Sequence, residues 1–245
     1  MNNCQSTRPS LAVLLAAGRG KRLRPWTDTT PKPLLPVYGR PTLDFTLQAA
    51  KTAGVNQVVF IVGHLGEQIV DYVGDGSTWG VEPFFCKQNE LLGTAHALKM
   101  AADAHPHLFE QNSSFILTAT DYLFESNTLS DLVTRYRETG AEIGVSLKQV
   151  PKEELAGRSS VRYTGDFVIK EIVEKPAVGE APSRFSASLT FVLPSQIVNH
   201  LQHMELSTRG EYEIQTLINQ MIDGGAKATG LLQPSPAEWH ASMLD

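Results

Sequence analysis

Over the first 150 residues, short apolar runs bounded by turn residues alternate with longer stretches whose apolar side chains recur at helical spacing. The run at 11–15, QVVFIV (57–62), VEPFFCKQ (81–88) and FILTAT (115–120) have the length and the β-branched or aromatic content of buried strands. Between them, PTLDFTLQAAKTAG (41–54) puts Pro41 near a first helical position and Gly54 where a helix commonly terminates. LGEQIVDYV (65–73), GTAHALKMAADA (93–104) and TLSDLVTRYRETG (128–140) read as three further helices. The order β-α-β-α-β-α-β-α predicts an α/β fold, a doubly wound, mostly parallel, Rossmann-like sheet with helices on both faces. In such sheets ligands sit at the carboxyl ends of the strands.

After Val150 the pattern changes. VRYTGDFVIKEIVEKP predicts two strands joined at Gly165-Asp166, followed by a strand near 187–193 and helices near 194–204 and 211–223. This reads as an α+β extension of the same domain, so that 1–245 forms one unit with an α/β half at 1–150 and an extension at 151–245. The proline in His105-Pro106-His107 predicts a loop, and QPSPAE (233–238) is the one linker-like stretch.

With 42% hydrophobic and 19% charged residues, the chain can bury a full core. No run approaches the roughly 20 apolar residues of a membrane span. The polar start lacks the basic and apolar regions of a secretion signal, so the expected location is cytoplasmic, with no membrane partner. Cys4 and Cys86 are too few for a disulfide framework or a metal cluster and are expected to be free thiols. A net charge of -5 argues against a nucleic-acid partner, but its distribution is uneven. From Gly18 to Arg40 six basic residues (Arg19, Lys21, Arg22, Arg24, Lys32, Arg40) face one acid, Asp28. That local excess points to a small polyanion.

The excess sits directly after the first strand, on Gly18-Arg19-Gly20-Lys21-Arg22. A dinucleotide fingerprint would need a third glycine where Leu23 stands, and a P-loop would need glycine at Leu15 and a hydroxyl at Arg22. Neither pattern is met. Two glycines after a buried strand still let backbone N–H groups approach phosphate oxygens, with Arg and Lys supplying countercharge.

The stretch Leu15-Ala16-Ala17-Gly18-Arg19-Gly20-Lys21-Arg22-Leu23, followed by Pro31-Lys32-Pro33-Leu34-Leu35-Pro36, resembles the signature of the sugar-1-phosphate nucleotidylyltransferases, L-A-A-G-x-G-T-R-L and P-K-x-L-x-P. Lys21 replaces the usual threonine. The resemblance implies that residues 15–21 bind the nucleotide, that Arg22 holds its phosphates and that Lys32 reaches the reacting phosphorus. Gln88 with Gly93-Thr94 resembles the family's Q-x4-G-T segment, which implies reading of uracil or thymine, while His96 is expected to be structural. Asp121, after Thr120 where the family has glycine, is implied as a Mg²⁺ ligand, a hard cation that suits a carboxylate beside phosphates. Glu174-Lys175-Pro176 matches the family's E-K-P. By that likeness Lys175 contacts the sugar phosphate and Glu174 a sugar hydroxyl, with Gly157 offering a backbone contact.

Toward the C-terminus the match thins. Ala187-Ser188-Leu189 replaces the family's Asn-Thr-Gly or Asn-Ala-Gly, and Thr216 follows the G-E-x-E-I match at Gly210–Ile214 where Asp is common. Trp239-His240-Ala241 lacks the carboxylate of the W-x-D that usually completes the metal site, and Asp245 is the last residue, so the second metal ligand stays unassigned. His200 and His203 share a helix face and are expected to be solvated. The expected activity is nucleotide-sugar biosynthesis: a pyrimidine triphosphate (UTP or dTTP) and a sugar 1-phosphate become a nucleotide sugar and pyrophosphate, with Mg²⁺. Two alternatives stay open, a cytidylyl or guanylyl transferase with another acceptor, and a non-catalytic nucleotide-sugar-binding homologue. The oligomeric state is open, a homo-oligomer included.

Overall fold

A computed structural model describes residues 8–177, 179–207 and 209–234. Nine strands, β1 (Leu11–Ala16), β2 (Gln57–Val62), β3 (Glu82–Lys87), β4 (Ser114–Ala119), β5 (Ile143–Gln149), β6 (Ser160–Thr164), β7 (Val168–Val173), β8 (Phe185–Pro194) and β9 (Ala228–Leu232), share one sheet in the order β3-β2-β1-β4-β8-β5-β9-β7-β6. Strands β3, β2, β1 and β4 run parallel, as the alternation predicts. Strand β8 returns antiparallel between β4 and β5, β9 pairs parallel with β5, and β6–β7 form the expected hairpin around Gly165-Asp166. A strand of the extension therefore lies in the middle of the sheet.

Alternate side chains of β1 enter opposite cores. Leu11 and Val13 pack toward α3 (Thr94–Ala104), α4 (Pro106–Gln111) and α6 (Ile214–Asp223), whereas Ala12, Leu14 and Ala16 pack toward α1 (Thr42–Thr52), α2 (Gly66–Val73) and α5 (Thr128–Glu138). Helices thus cover both faces, which explains why these strands read as continuous apolar runs. Each fully buried side chain of this set, Phe60 or Phe115 for example, contributes roughly 1.5–3 kcal/mol from burial. Gly54 sits one residue past the cap of α1 at φ +88, a conformation glycine adopts without strain.

Three expectations need correction. His105-Pro106-His107 is not a loop, because Pro106 occupies the first position of α4, where its missing N–H costs nothing. The segment near 194–204 is a 3-10 helix over Ser195–His203, and the following α-helix begins at Ile214, not at 211. Strands β5 and β9 were not anticipated. In β5 Gly144, Ser146 and Lys148 are buried on the face opposite Ile143, Val145 and Leu147, so a strand covered on both sides carries half its positions as small or polar residues.

Candidate active site

Two adjoining cavities, the first at the carboxyl ends of β1, β3 and β4, draw residues from either side of position 150. The first, about 310 Å³, is walled by Leu15, Ala16, Ala17 and Gly18 from the end of β1, Lys32, Gln88, Gly93 and Thr94, and Asp121 after β4. A Cβ at Gly18 would meet no atom within 4 Å, so packing within the chain does not demand glycine there; the bare backbone faces open space. Gly20 is different. It stands at φ +60, and a Cβ would lie 2.7 Å from Thr27 Cγ2, whose hydroxyl donates to the Gly20 carbonyl at 3.0 Å. This glycine shapes the loop.

Arg19, on the loop after β1, and Lys21 and Arg22, in the 3-10 turn Lys21–Leu23 that follows it, stand exposed outside the walls of both cavities. Among the described residues none of the three forms a salt bridge, whereas Arg24 pairs with Asp28 at 3.1 Å. Lys32 and Asp121 are brought together from 89 residues apart, Nζ to Oδ2 2.5 Å. The Thr42 hydroxyl donates to the carbonyls of both Pro33 and Thr120, tying the Lys32 turn to the end of β4. Thr120 keeps its hydroxyl on the Leu15 carbonyl at 3.1 Å, so the side chain that replaces the family's glycine stitches β4 to β1.

Gln88 and Gly93 meet across the mouth of β3, where Gln88 Nε2 contacts the Gly93 carbonyl (3.4 Å) and His96 Nδ1 (3.2 Å). The room beside Gly93 is occupied: at φ +115 its Cβ would strike the backbone of Tyr212, 2.8 Å from the nitrogen. Thr94 accepts the N–H of Ile214 through its hydroxyl at 2.9 Å. Gly93-Thr94 therefore lines the cavity and also forms the seam that receives the 211–214 segment.

The second cavity, about 320 Å³, shares Thr94, Leu189 and Glu211 with the first and contains Gly157, Glu174 and Lys175. Lys175 holds φ 44, unusual outside glycine, secured by its N–H to the Arg158 carbonyl at 3.1 Å. Glu174 accepts from Gln215 Nε2 (3.0 Å), with Arg209 Nη1 3.6 Å and Lys175 Nζ 3.9 Å away. Burial pushes its carboxyl above the usual range; Lys175 and Arg209 oppose that shift, while Glu213 and Glu211 add to it. Ser186, Ala187 and Ser188 of β8 also line this wall, with Lys148 of β5. Lys148, only 5% exposed, lies on a strand with no motif, and Arg209 and Gln215 flank the Gly210–Ile214 match without being part of it; sequence reasoning missed all three.

Magnesium takes oxygen ligands, keeps several waters, and is commonly bound by one or two carboxylates plus substrate phosphates. Asp121 supplies one such carboxylate beside the first cavity. Among the described residues no group of three or more His, Cys, Asp and Glu could hold a metal. Among the described residues the donor set fits an ion whose shell substrate oxygens and water complete. Trp239-His240-Ala241, Asp245 and Cys4 lie outside the described residues.

A doubly wound sheet with glycine backbone, lysine and carboxylate converging at its strand ends defines a protein of the nucleotide-phosphate-handling class. Residues 11–239 match the Nucleotidyl transferase family, and the chain belongs to it. It is 35% identical to the UTP–glucose-1-phosphate uridylyltransferase AglF of Haloferax volcanii, over 87% of this chain and 84% of that protein. It is 32% identical to the low-salt glycan biosynthesis nucleotidyltransferase Agl11 of the same organism and 31% to a glucose-1-phosphate thymidylyltransferase of Streptomyces griseus. Of those two it covers 57% and 58%, so the chain spans little more than half their length. The fold superposes on a UDP-glucose pyrophosphorylase complexed with UDP-glucose with a TM-score of 0.81 at 19% identity, covering 93% of this chain and 91% of that one. No helix among the described residues is long and apolar enough to cross a membrane.

Proposed function

We propose that this protein transfers a nucleotidyl group from UTP or dTTP to a sugar 1-phosphate and releases pyrophosphate. The observation that carries the proposal is the pair of cavities joined at Thr94, Leu189 and Glu211, with Lys32 and Asp121 on one side and Lys175 on the other. The relatives named for uridylyl and thymidylyl transfer to glucose 1-phosphate support the choice of substrates. Residues 1–150 supply most of the nucleotide cavity and the 151–245 extension most of the sugar-phosphate cavity.

The acceptor is already an anionic phosphate oxygen, so no side chain has to remove a proton and no covalent enzyme intermediate is needed. A new P–O bond forms at the α-phosphorus, the α–β bond breaks, and its electron pair leaves with pyrophosphate. The chain's contribution is positioning and charge. Lys175 orients the attacking phosphate, Lys32 stabilises charge growing on the α-phosphate, and Arg22, with the Gly18–Gly20 backbone, holds the departing phosphates. Glu174, already oriented by Gln215, accepts from a sugar hydroxyl. Asp121 would hold Mg²⁺, which when bound neutralises phosphate charge.

Pyrophosphate release, measured over a panel of five nucleoside triphosphates and several sugar 1-phosphates with and without Mg²⁺, tests this reading. Turnover is expected with UTP or dTTP, only with a sugar 1-phosphate and only with the cation. No turnover anywhere, with thermal stabilisation by a nucleotide sugar, would replace it with a binding role.

A further inference from the structure

Gln88 is 5% exposed, so its amide presents a fixed donor side and a fixed acceptor side to whatever fills the cavity it lines. Its Nε2 donates to the Gly93 carbonyl at 3.4 Å, and a carbonyl can only accept, which sets the way round that the amide stands. The same Nε2 lies 3.2 Å from His96 Nδ1, so that ring nitrogen carries the lone pair and the ring proton sits on Nε2. The imidazole is itself held. It stacks on Tyr212 with centroids 6.5 Å apart and planes 28° from parallel, while the Tyr212 backbone is bonded to Leu92 (2.8 Å) and Ala95 (2.9 Å). With both amide hydrogens engaged, Gln88 Oε1 accepts no hydrogen bond from any described residue.

We infer that His96, which lines neither cavity, sets the base preference of the site by fixing Gln88 so that only its Oε1 is offered to the base edge. The inference rests on the first cavity being the nucleotide site. Uracil and thymine carry a proton on N3 and satisfy an acceptor placed there. Cytosine carries a lone pair on N3 and sets acceptor against acceptor, which leaves polar groups unpaired in a buried site. His96 is a positioning residue: its removal frees the amide to turn over, held back only by the longer contact to Gly93.

Calorimetric titration of UTP and CTP, without an acceptor sugar, into the wild type, His96→Phe and His96→Asn tests this. Phe keeps a ring to stack on Tyr212 but removes the acceptor; Asn loses the stack but places Oδ1 where Nδ1 stood. The wild type is expected to prefer UTP. His96→Phe should reduce the UTP-over-CTP ratio about tenfold, the weight of one oriented hydrogen bond, and raise the KM for UTP with kcat preserved. His96→Asn should restore the ratio. Should the Phe variant fail to fold, His96→Leu takes its place against Asn. An unchanged ratio in the variant lacking the acceptor, equal weakening of both nucleotides, or a wild type that binds CTP as well as UTP would overturn the inference and leave the transferase reading standing. A wild type that binds neither triphosphate would remove the nucleotide site and the inference together.

Discussion

Replacing Gly93 by alanine tests whether the seam between the 92–95 segment and the 211–214 segment holds the site together. At φ +115 and ψ 176 the residue occupies a region essentially reserved for glycine, and alanine there costs on the order of 1–3 kcal/mol in backbone strain. The new Cβ also meets the Tyr212 backbone, which offers no rotamer by which to retreat. Relief requires the segment to move, which loosens the bonds from Ala95 N–H to the Tyr212 carbonyl (2.9 Å) and from Tyr212 N–H to the Leu92 carbonyl (2.8 Å). At about 1 kcal/mol each, they bring the expected loss to roughly 3–5 kcal/mol. Urea unfolding of both proteins, compared at equal m-value, reads the difference. Nucleotide affinity should fall in parallel, because Tyr212 also carries His96. A loss below about 1 kcal/mol with native-like nucleotide binding would refute the seam.

Asp121→Asn should lower turnover by two or more orders of magnitude with the melting temperature nearly unchanged, because the carboxylate serves charge placement and not packing; steady-state rates and a thermal scan decide it. Lys175→Ala should behave alike, and near-normal rates in a folded variant would remove Lys175 from the proposed role. Glu174 has a folded pKa above its ordinary 4.5, so the fold favours the protonated form, and stability is lost as pH rises from 4.5 through the raised value. Glu174→Gln should therefore gain stability relative to the wild type between acid and neutral pH while losing sugar-phosphate turnover; a flat difference in melting temperature over that range would contradict the assignment. Burial, aided by Asp103, raises the Cys86 thiol, so it should react with a thiol reagent only on unfolding; rapid modification of Cys86 in the native protein would be the contrary result.

The parallel half of the fold was legible because β1, β2 and β4 are buried on both faces and read as nearly unbroken apolar runs between amphipathic helices, while the edge strand β3 still turns Phe84 and Phe85 toward opposite cores. Strand β5 was not, since its second face carries Gly144, Ser146 and Lys148, and β9 is five residues with threonine and glycine inside. The motif residues were legible through their likeness to the family's signature; Gly18 and Asp121 stand just past β1 and β4, whereas Lys32 arrives on a later 3-10 turn, Lys32–Leu34. Gln88, Lys32 and Asp121, singled out by likeness to the family's motifs, line one cavity. What orients them was hidden. His96 and Tyr212 are joined across 116 residues by a ring stack, and Gln215 reaches Glu174 from a different element, contacts that no local spacing encodes. Gly93 shows the limit most sharply, because what demands glycine there is the Tyr212 backbone, which lies 119 residues away in the chain.

The central claim is that a sugar-phosphate oxygen forms the new bond to the α-phosphorus, and the fate of heavy oxygen tests it most directly. Glucose 1-phosphate carrying the label in its terminal phosphate oxygens is incubated with unlabelled UTP or dTTP and Mg²⁺, and both products are weighed by mass spectrometry. The account predicts that all the label is retained in the nucleotide sugar, one labelled oxygen forming the new bridge, and that none enters pyrophosphate. Label in pyrophosphate, or no nucleotide sugar from this or any other sugar 1-phosphate, would contradict it.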